Sequence, residues 1–180
     1  MDIRVAKTKK SIINAFLALR SKKAIEKITV KELCEAAEIN KSTFYSHFQD
    51  IYDLSEFLET QTSNEVIASI QHPEYLFSKP DLFIHELFQA YADQERIIRL
   101  LFSGSRKNML LIQIENSLKE TIFSIRPDYK ENITANVLFT LSIYGGFYAF
   151  EKCRHFGDDS VIDALAEINQ KIMELLKQTS

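Results

Sequence analysis

Apolar residues recur three and four apart along most of this chain, and no period-2 alternation lasts long enough to make a strand. Between residues 6 and 22, Ile12, Ile13, Phe16, Leu17 and Leu19 keep helical spacing, with Lys and Asn opposite, which predicts a first amphipathic helix. Thr29-Val30-Lys31-Glu32 reads as a capping box, with Thr29 accepting near Glu32 and Glu32 reaching back. A short helix should follow, with Val30, Leu33, Cys34 and Ala37 turned inward. Asn40 is the next N-cap and opens a second short helix over residues 41–48. Asp50, with Asp53 at the third position, starts a longer helix carrying Leu54, Phe57 and Leu58 on one face.

Beyond that point the same periodicity continues. Gln71-His72-Pro73 and Ser78-Lys79-Pro80 bracket a loop, and a helix over about residues 80–102 is expected to break near Ala92-Asp93. Ser103-Gly104-Ser105 is a stop and a new cap. Residues 106–125 form another helix, ended before Pro127. Asp128-Tyr129-Lys130-Glu131 repeats the cap-and-acid pattern and should start a long helix reaching about His155, with Gly157 as its stop. Asp158-Asp159-Ser160 then caps a last helix whose inward set would be Ile162, Leu165, Ile168, Ile172 and Leu175. The expectation is an all-α protein in two parts: an N-terminal three-helix head, residues 1–50, and a helical body, residues 51–180.

Composition agrees with this reading. Four Gly and three Pro in 180 residues punctuate few turns, and 46% apolar with 26% charged residues is an ordinary globular balance. Two cysteines far apart, Cys34 and Cys153, fit a reducing compartment and give no disulfide framework. The opening MDIRVAKTKK has charge but no apolar core, unlike a signal peptide. Residues 132–150 run uncharged for the length of a membrane span, but they include Asn132, Thr134, Asn136, Thr140, Ser142 and the pair Gly145-Gly146. A helix buried on most sides by protein is expected there, and no membrane partner. The net charge of −3 hides an asymmetry: residues 1–50 carry ten basic and six acidic residues, whereas the remainder carries twelve and nineteen. A basic head on an acidic body points toward a polyanion met by the head.

The two short helices at 30–37 and 41–48 have the spacing of a helix-turn-helix, whose second helix enters the major groove of DNA. Phe44 and Phe48, four apart, make an apolar ridge that anchors this helix, with Leu33 and Ala37 opposite. Lys41, Ser42, Thr43, Tyr45, Ser46 and His47 are left pointing elsewhere, and each can donate to a phosphate or a base edge. No acid interrupts this segment. The chain's four His stand at 47, 72, 85 and 155, none with Glu three residues before it, so the carboxylate-bridged metal bundle is not matched. Glycine-rich phosphate loops, Gly-x-Ser-x-Gly and paired-Cys motifs are also absent. We expect no catalytic residues, no metal and no cofactor.

With Ile28-Thr29-Val30-Lys31-Glu32-Leu33, Lys41-Ser42-Thr43-Phe44-Tyr45-Ser46-His47-Phe48 and Asp53-Leu54 in place, residues 12–54 resemble the DNA-binding head of the TetR family of bacterial transcription regulators. The resemblance implies a cytoplasmic homodimer on double-stranded DNA with a palindromic operator, most commonly a repressor released by a small-molecule effector. A protein of the same fold that organises DNA or recruits a protein partner, without an effector, is the alternative. The resemblance also implies backbone contacts from Tyr45 and His47, a phosphate contact from Thr29, and base contacts from Ser42 and Thr43. Two departures stand out: Glu38 replaces the usual turn Gly, and Gln49-Asp50-Ile51-Tyr52 lacks the usual Lys. Arg4, Lys7, Lys9 and Lys10 are candidates for a basic arm. The last two helices are the expected dimer surface, with Gly145, Gly146, Phe147, Ile162, Leu165, Ile168 and Ile172, because paired Gly in mid-helix suits a close helix crossing. The aromatic stripe of residues 80–125 reads as core, and no pocket residue stands out.

Overall fold

The computed structural model describes residues 3–178; residues 1 and 2 of the expected head and residues 179 and 180 of the expected body lie outside it. Nine α-helices and four short 3-10 turns make up the described chain, and no strand occurs among the described residues. Two compact units emerge: one runs through Thr62 and includes Arg96–Met109, the other comprises Ser63–Glu95 and the residues from Leu110 onward.

The first unit contains α1 (Ile3–Arg20), α2 (Val30–Ala36), α3 (Lys41–Tyr45) and the first two turns and more of α4 (Ile51–Ala68). Its core is made where the periodicity placed it: Ile12, Phe16, Leu33, Phe44 and Leu54 have no exposed surface. Two charged groups are drawn inside as well. The Arg20 guanidinium donates from Nη2 to the Leu101 carbonyl (3.3 Å) and Ser103 Oγ (2.8 Å) and from Nη1 to the Lys23 carbonyl (3.2 Å). Burial lowers its pKa from the usual Arg value, although Glu26 and Glu59 oppose this. Glu59, fully buried, accepts from Ser55 Oγ (2.7 Å) and from Arg106 Nε (2.9 Å) and Nη2 (2.5 Å). Those hydrogen bonds raise the Arg106 pKa against the opposing cost of burial.

The second unit holds α5 (Tyr75–Ser78), α6 (Pro80–Leu101) up to Glu95, α7 (Met109–Ile125), α8 (Ile133–Cys153) and α9 (Asp158–Gln178), with α8 packed along α9. Several expectations are corrected here. The helix over 80–101 is unbroken: neither Ala92 nor Asp93 removes a backbone donor, and Asp93 Oδ1 accepts from Gln89 Nε2 one turn back (2.8 Å). Asp128 does not start α8. Its carboxylate is taken by Arg126 (2.6 and 2.9 Å), and Asn132 caps α8 by accepting from the Ala135 N–H (2.9 Å). In α9 the inward residues are Val161, Leu165, Ala166, Asn169, Met173 and Leu176, whereas Ile168 and Leu175 are exposed.

The helix expected to be buried on most sides is not. α8 is long and apolar enough to cross a membrane by length and composition alone, yet only 17% of its most apolar window is buried. Its own body covers one face, with Ala135, Phe139 and Phe150 inward. Outward, Ile133 (81% exposed), Val137, Leu141 (61%) and Tyr148 follow one another at helical steps, and α9 adds Ile168 and Leu175. A stripe of this kind is larger than scattered surface Leu or Ile and asks for a partner.

Candidate nucleic-acid interface and body cavity

The turn of the helix-turn-helix is built from one strained residue. After Ala37, Glu38 takes φ +55, and the Ile39 N–H donates back to the Cys34 carbonyl at 3.0 Å, closing a Schellman-type end. This is the left-handed conformation that Gly adopts without penalty and Glu does not. Asn40 then caps α3. Its Oδ1 accepts from the Thr43 N–H (2.8 Å), Thr43 Oγ1 (2.8 Å) and Ser42 Oγ (2.7 Å). Three donors thus share one oxygen with two lone pairs, and the two hydroxyls keep their own lone pairs for other donors.

Regular α-structure covers Lys41–Tyr45, and the N–H groups of Ser46, His47 and Phe48 still bond back to Ser42 and Phe44. The aromatic ridge forms as spaced: Phe44 and Phe48 are buried with ring centroids 6.1 Å apart, and Phe48 meets Phe57 at 5.7 Å. Leu33 is buried beneath them in the same unit, while Ala37 is half-buried. Lys41, Ser42, Tyr45 and Ser46 are exposed, and Thr43 and His47 are half-buried. Tyr45, 56% exposed, stands edge-on to Phe44 at 5.5 Å, which fixes its ring while leaving its hydroxyl outward. The exposed face of α3 therefore offers one cation, hydroxyls and an imidazole, with no carboxylate among them.

The flanks are arranged to support this face. Thr29 caps α2 by accepting from the Glu32 N–H at 3.2 Å, but Glu32 does not reach back to complete the box: Lys23 Nζ holds its Oε2 at 2.5 Å. At the start of α4 Asp50 Oδ1 accepts from the Tyr52 and Asp53 N–H groups, and Asp53 Oδ2 reaches back to accept from the N–H of Gln49, the residue before the cap (2.7 Å). These two acids occupy the corner where the sequence lacks a Lys, so the Tyr52 and Asp53 N–H groups there are already satisfied. Of the basic arm, Lys9 is spoken for: its Nζ lies 3.6 Å from the Phe57 ring centroid and 5.6 Å from that of Phe48. Lys7 and Lys10 remain exposed.

The second unit contains a feature that sequence reasoning missed. A cavity of about 240 Å³, open on one side, is lined by Val66 on α4, Leu87 and Phe88 on α6, Leu118 on α7, and residues of α8 and α9 that include the exposed Leu141 and Ile168. Gly145 and Gly146 line it, and a Cβ built on either would meet no atom within 4 Å. The glycine pair was legible in the sequence, but within this chain no helix crosses closely there; the pair borders open space instead. Of the residues expected at a dimer surface, Gly145 and Ile168 are exposed, Gly146, Phe147, Ile162 and Ile172 are half-buried, and Leu165 is buried in its own body. Phe147 packs edge-on against Tyr91 at 5.8 Å. No group of three or more His, Cys, Asp or Glu suited to a metal ion occurs among the described residues.

Comparison with known proteins bears on the head. Residues 12–56 match the sequence profile described as "Bacterial regulatory proteins, tetR family". A curated relative, the HTH-type dhaKLM operon transcriptional activator DhaS of Lactococcus lactis subsp. lactis (strain IL1403), is 28% identical over 119 residues, or 64% of this chain. The match spans 61% of the relative's own length.

Proposed function

From the premise that this chain belongs to the tetR family of bacterial regulatory proteins and is a transcription regulator with a DNA-binding head, we propose that it acts as a homodimer on a palindromic operator and that a small molecule bound in the body releases it. The observation that carries the DNA half is the face of α3: Lys41, Ser42, Tyr45 and Ser46 exposed around a buried Phe44–Phe48 ridge. Lys41 neutralises a phosphate, Ser42 and Thr43 reach base edges, and Thr29, Tyr45, Ser46 and His47 bond the backbone. It is a non-enzymatic, cytoplasmic protein.

The dimer half rests on the apolar stripe of α8 and α9. One five-residue helix reads few base pairs, and two heads related by a two-fold axis double the reading. A second copy laid on Ile133, Val137, Leu141, Tyr148 and Ile168 removes the exposed apolar surface of both chains at once, in a self-complementary contact. The effector half rests on the cavity, which favours this reading over an effector-free protein of the same fold.

Release from an operator is most simply repression. The relative's name, a transcriptional activator, favours a second reading in which the bound dimer promotes transcription. Deleting the gene separates them: neighbouring transcripts rise under the first and fall under the second. The DNA reading itself is tested by selecting bound duplexes from a random pool. Two inverted half-sites bound by two chains are expected; no sequence preference, or a single half-site bound by a monomer, would overturn it.

A further inference from the structure

The cavity in the body also says what kind of molecule it takes. We infer that it binds an uncharged, largely apolar small molecule carrying one hydrogen-bonding group, anchored at Ser142. This rests on the effector reading above and gives the effector's chemistry.

The wall excludes charge. No Asp, Glu, Lys, Arg or His lines the cavity; aliphatic and aromatic side chains do, including Leu87, Phe88, Leu118 and Phe147. A carboxylate, phosphate or ammonium entering here would shed its hydration and find no counter-charge. The wall also has few polar groups, and the donors of two of them are already placed. Tyr91 Oη donates to Glu151 Oε1 at 3.4 Å, and Asn169 Nδ2 donates to the Pro80 carbonyl at 3.4 Å. Ser142 differs. Its Oγ is buried and has no hydrogen-bond partner among the described residues. A serine inside a helix usually satisfies itself on the carbonyl one turn back, and this one does not. A buried hydroxyl without a partner is costly; the Oγ has no surface open to the cavity, so a ligand reaches it once the side chain turns about χ1, and a ligand atom that then pairs with it recovers the loss.

Size narrows the class further. A cavity of about 150 Å³ lined by apolar side chains stays dry and takes benzene. At about 240 Å³ this one has room for a bicyclic aromatic or an alkyl chain of comparable bulk. The space is also maintained at a cost, since two consecutive glycines weaken the middle of α8 and no atom of the chain fills the volume a side chain there would take. A groove meant only for a partner's side chains would be lined by α8 and α9; this one reaches inward to Val66 and Leu118.

The test uses indole and naphthalene, near in size, of which only indole offers an N–H. The 180-residue chain contains no Trp, so indole fluorescence reports binding directly. Saturable binding of both probes, one per chain, is expected. Ser142→Ala should weaken indole about tenfold while leaving naphthalene within about twofold, because a single hydrogen bond is lost. Gly146→Leu should weaken both by about tenfold or more by occupying the space. Indole-3-carboxylate should bind at least about tenfold more weakly than indole. Absence of saturable binding by either probe, or an equal loss of both in Ser142→Ala, overturns the site. An operator duplex in the same experiment separates the two readings. Ser142-dependent indole binding with operator affinity unchanged leaves the site standing and removes its role in release. A chain that binds operator but neither probe loses the site and keeps the DNA reading.

Discussion

The head and the body both rely on aromatic side chains, and use them in opposite ways. In the head, Phe44 and Phe48 are buried, and the polar side chains beside them lie on the outside of α3. In the body, Phe88 and Phe147 border a void, and the outer face of α8 is apolar. The head therefore presents polar chemistry outward over a buried aromatic ridge; the body keeps a cavity inside and shows hydrocarbon along α8. The difference teaches where each region's selectivity resides. A surface that reads DNA must hold its side chains in one register, which close packing enforces. A surface that receives a small molecule needs volume that its own residues decline to fill.

The sharpest way to break this contrast is to open the head. Phe44→Ala should cost about 3–5 kcal/mol in urea or thermal unfolding, because a fully buried ring leaves a cavity the short helices cannot collapse around. A loss below about 1 kcal/mol would mean the head is no better packed than the body. Arg106→Ala belongs beside it. It strands the Glu59 carboxylate without its cation in a site with no exposed surface, for which a loss of about 3–5 kcal/mol is expected. Glu59→Gln in the same background should return part of that loss, since an amide needs no counter-charge.

Next come the contacts of α3 with DNA. Thr43→Ala should cost about 1–3 kcal/mol per half-site at one operator position and relax preference there, read by binding to single-base operator variants. Lys41→Ala should instead weaken all duplexes alike and lower the slope of log affinity against log salt by about 1 per chain. If the two substitutions behave identically, α3 meets only the backbone.

How far the sequence carried these features depended on the distance between partners. Caps at Thr29, Asn40 and Asp50 involve residues two to four apart, and each is found where spacing placed it. The ridge of Phe44 and Phe48 needs only one helical turn. Arg20 with Ser103, and Glu59 with Arg106, join residues far apart in the chain, and no local pattern marks either pair. Asp128 looked like a cap because the sequence does not show that Arg126 competes for it. α8 is the hardest to read: an uncharged, mostly apolar stretch suggests burial on most sides, yet the helix is buried along one face only, and the pattern does not tell the inward face from the outward one. The glycine pair is visible in the sequence, but a close helix approach and an empty wall ask for the same residue.

The smallest effects test that last ambiguity, through two exchanges that run in opposite chemical directions and should have the same sign. Glu38→Gly relieves a left-handed Glu at φ +55 and should gain about 0.5–1 kcal/mol in unfolding, after the greater freedom of Gly in the unfolded chain is subtracted. Gly146→Ala moves the other way, adding a methyl to a helical position with no atom within 4 Å of it, and should also gain about 0.5–1 kcal/mol. Backbone angle decides the first and available room the second, so side-chain chemistry enters neither. Should Gly146→Ala destabilise the protein by a similar amount, some atom must approach that site in solution that the single chain does not supply. A helix from the second copy would then lie against the glycines, and the void would belong to the interface between chains rather than to a ligand.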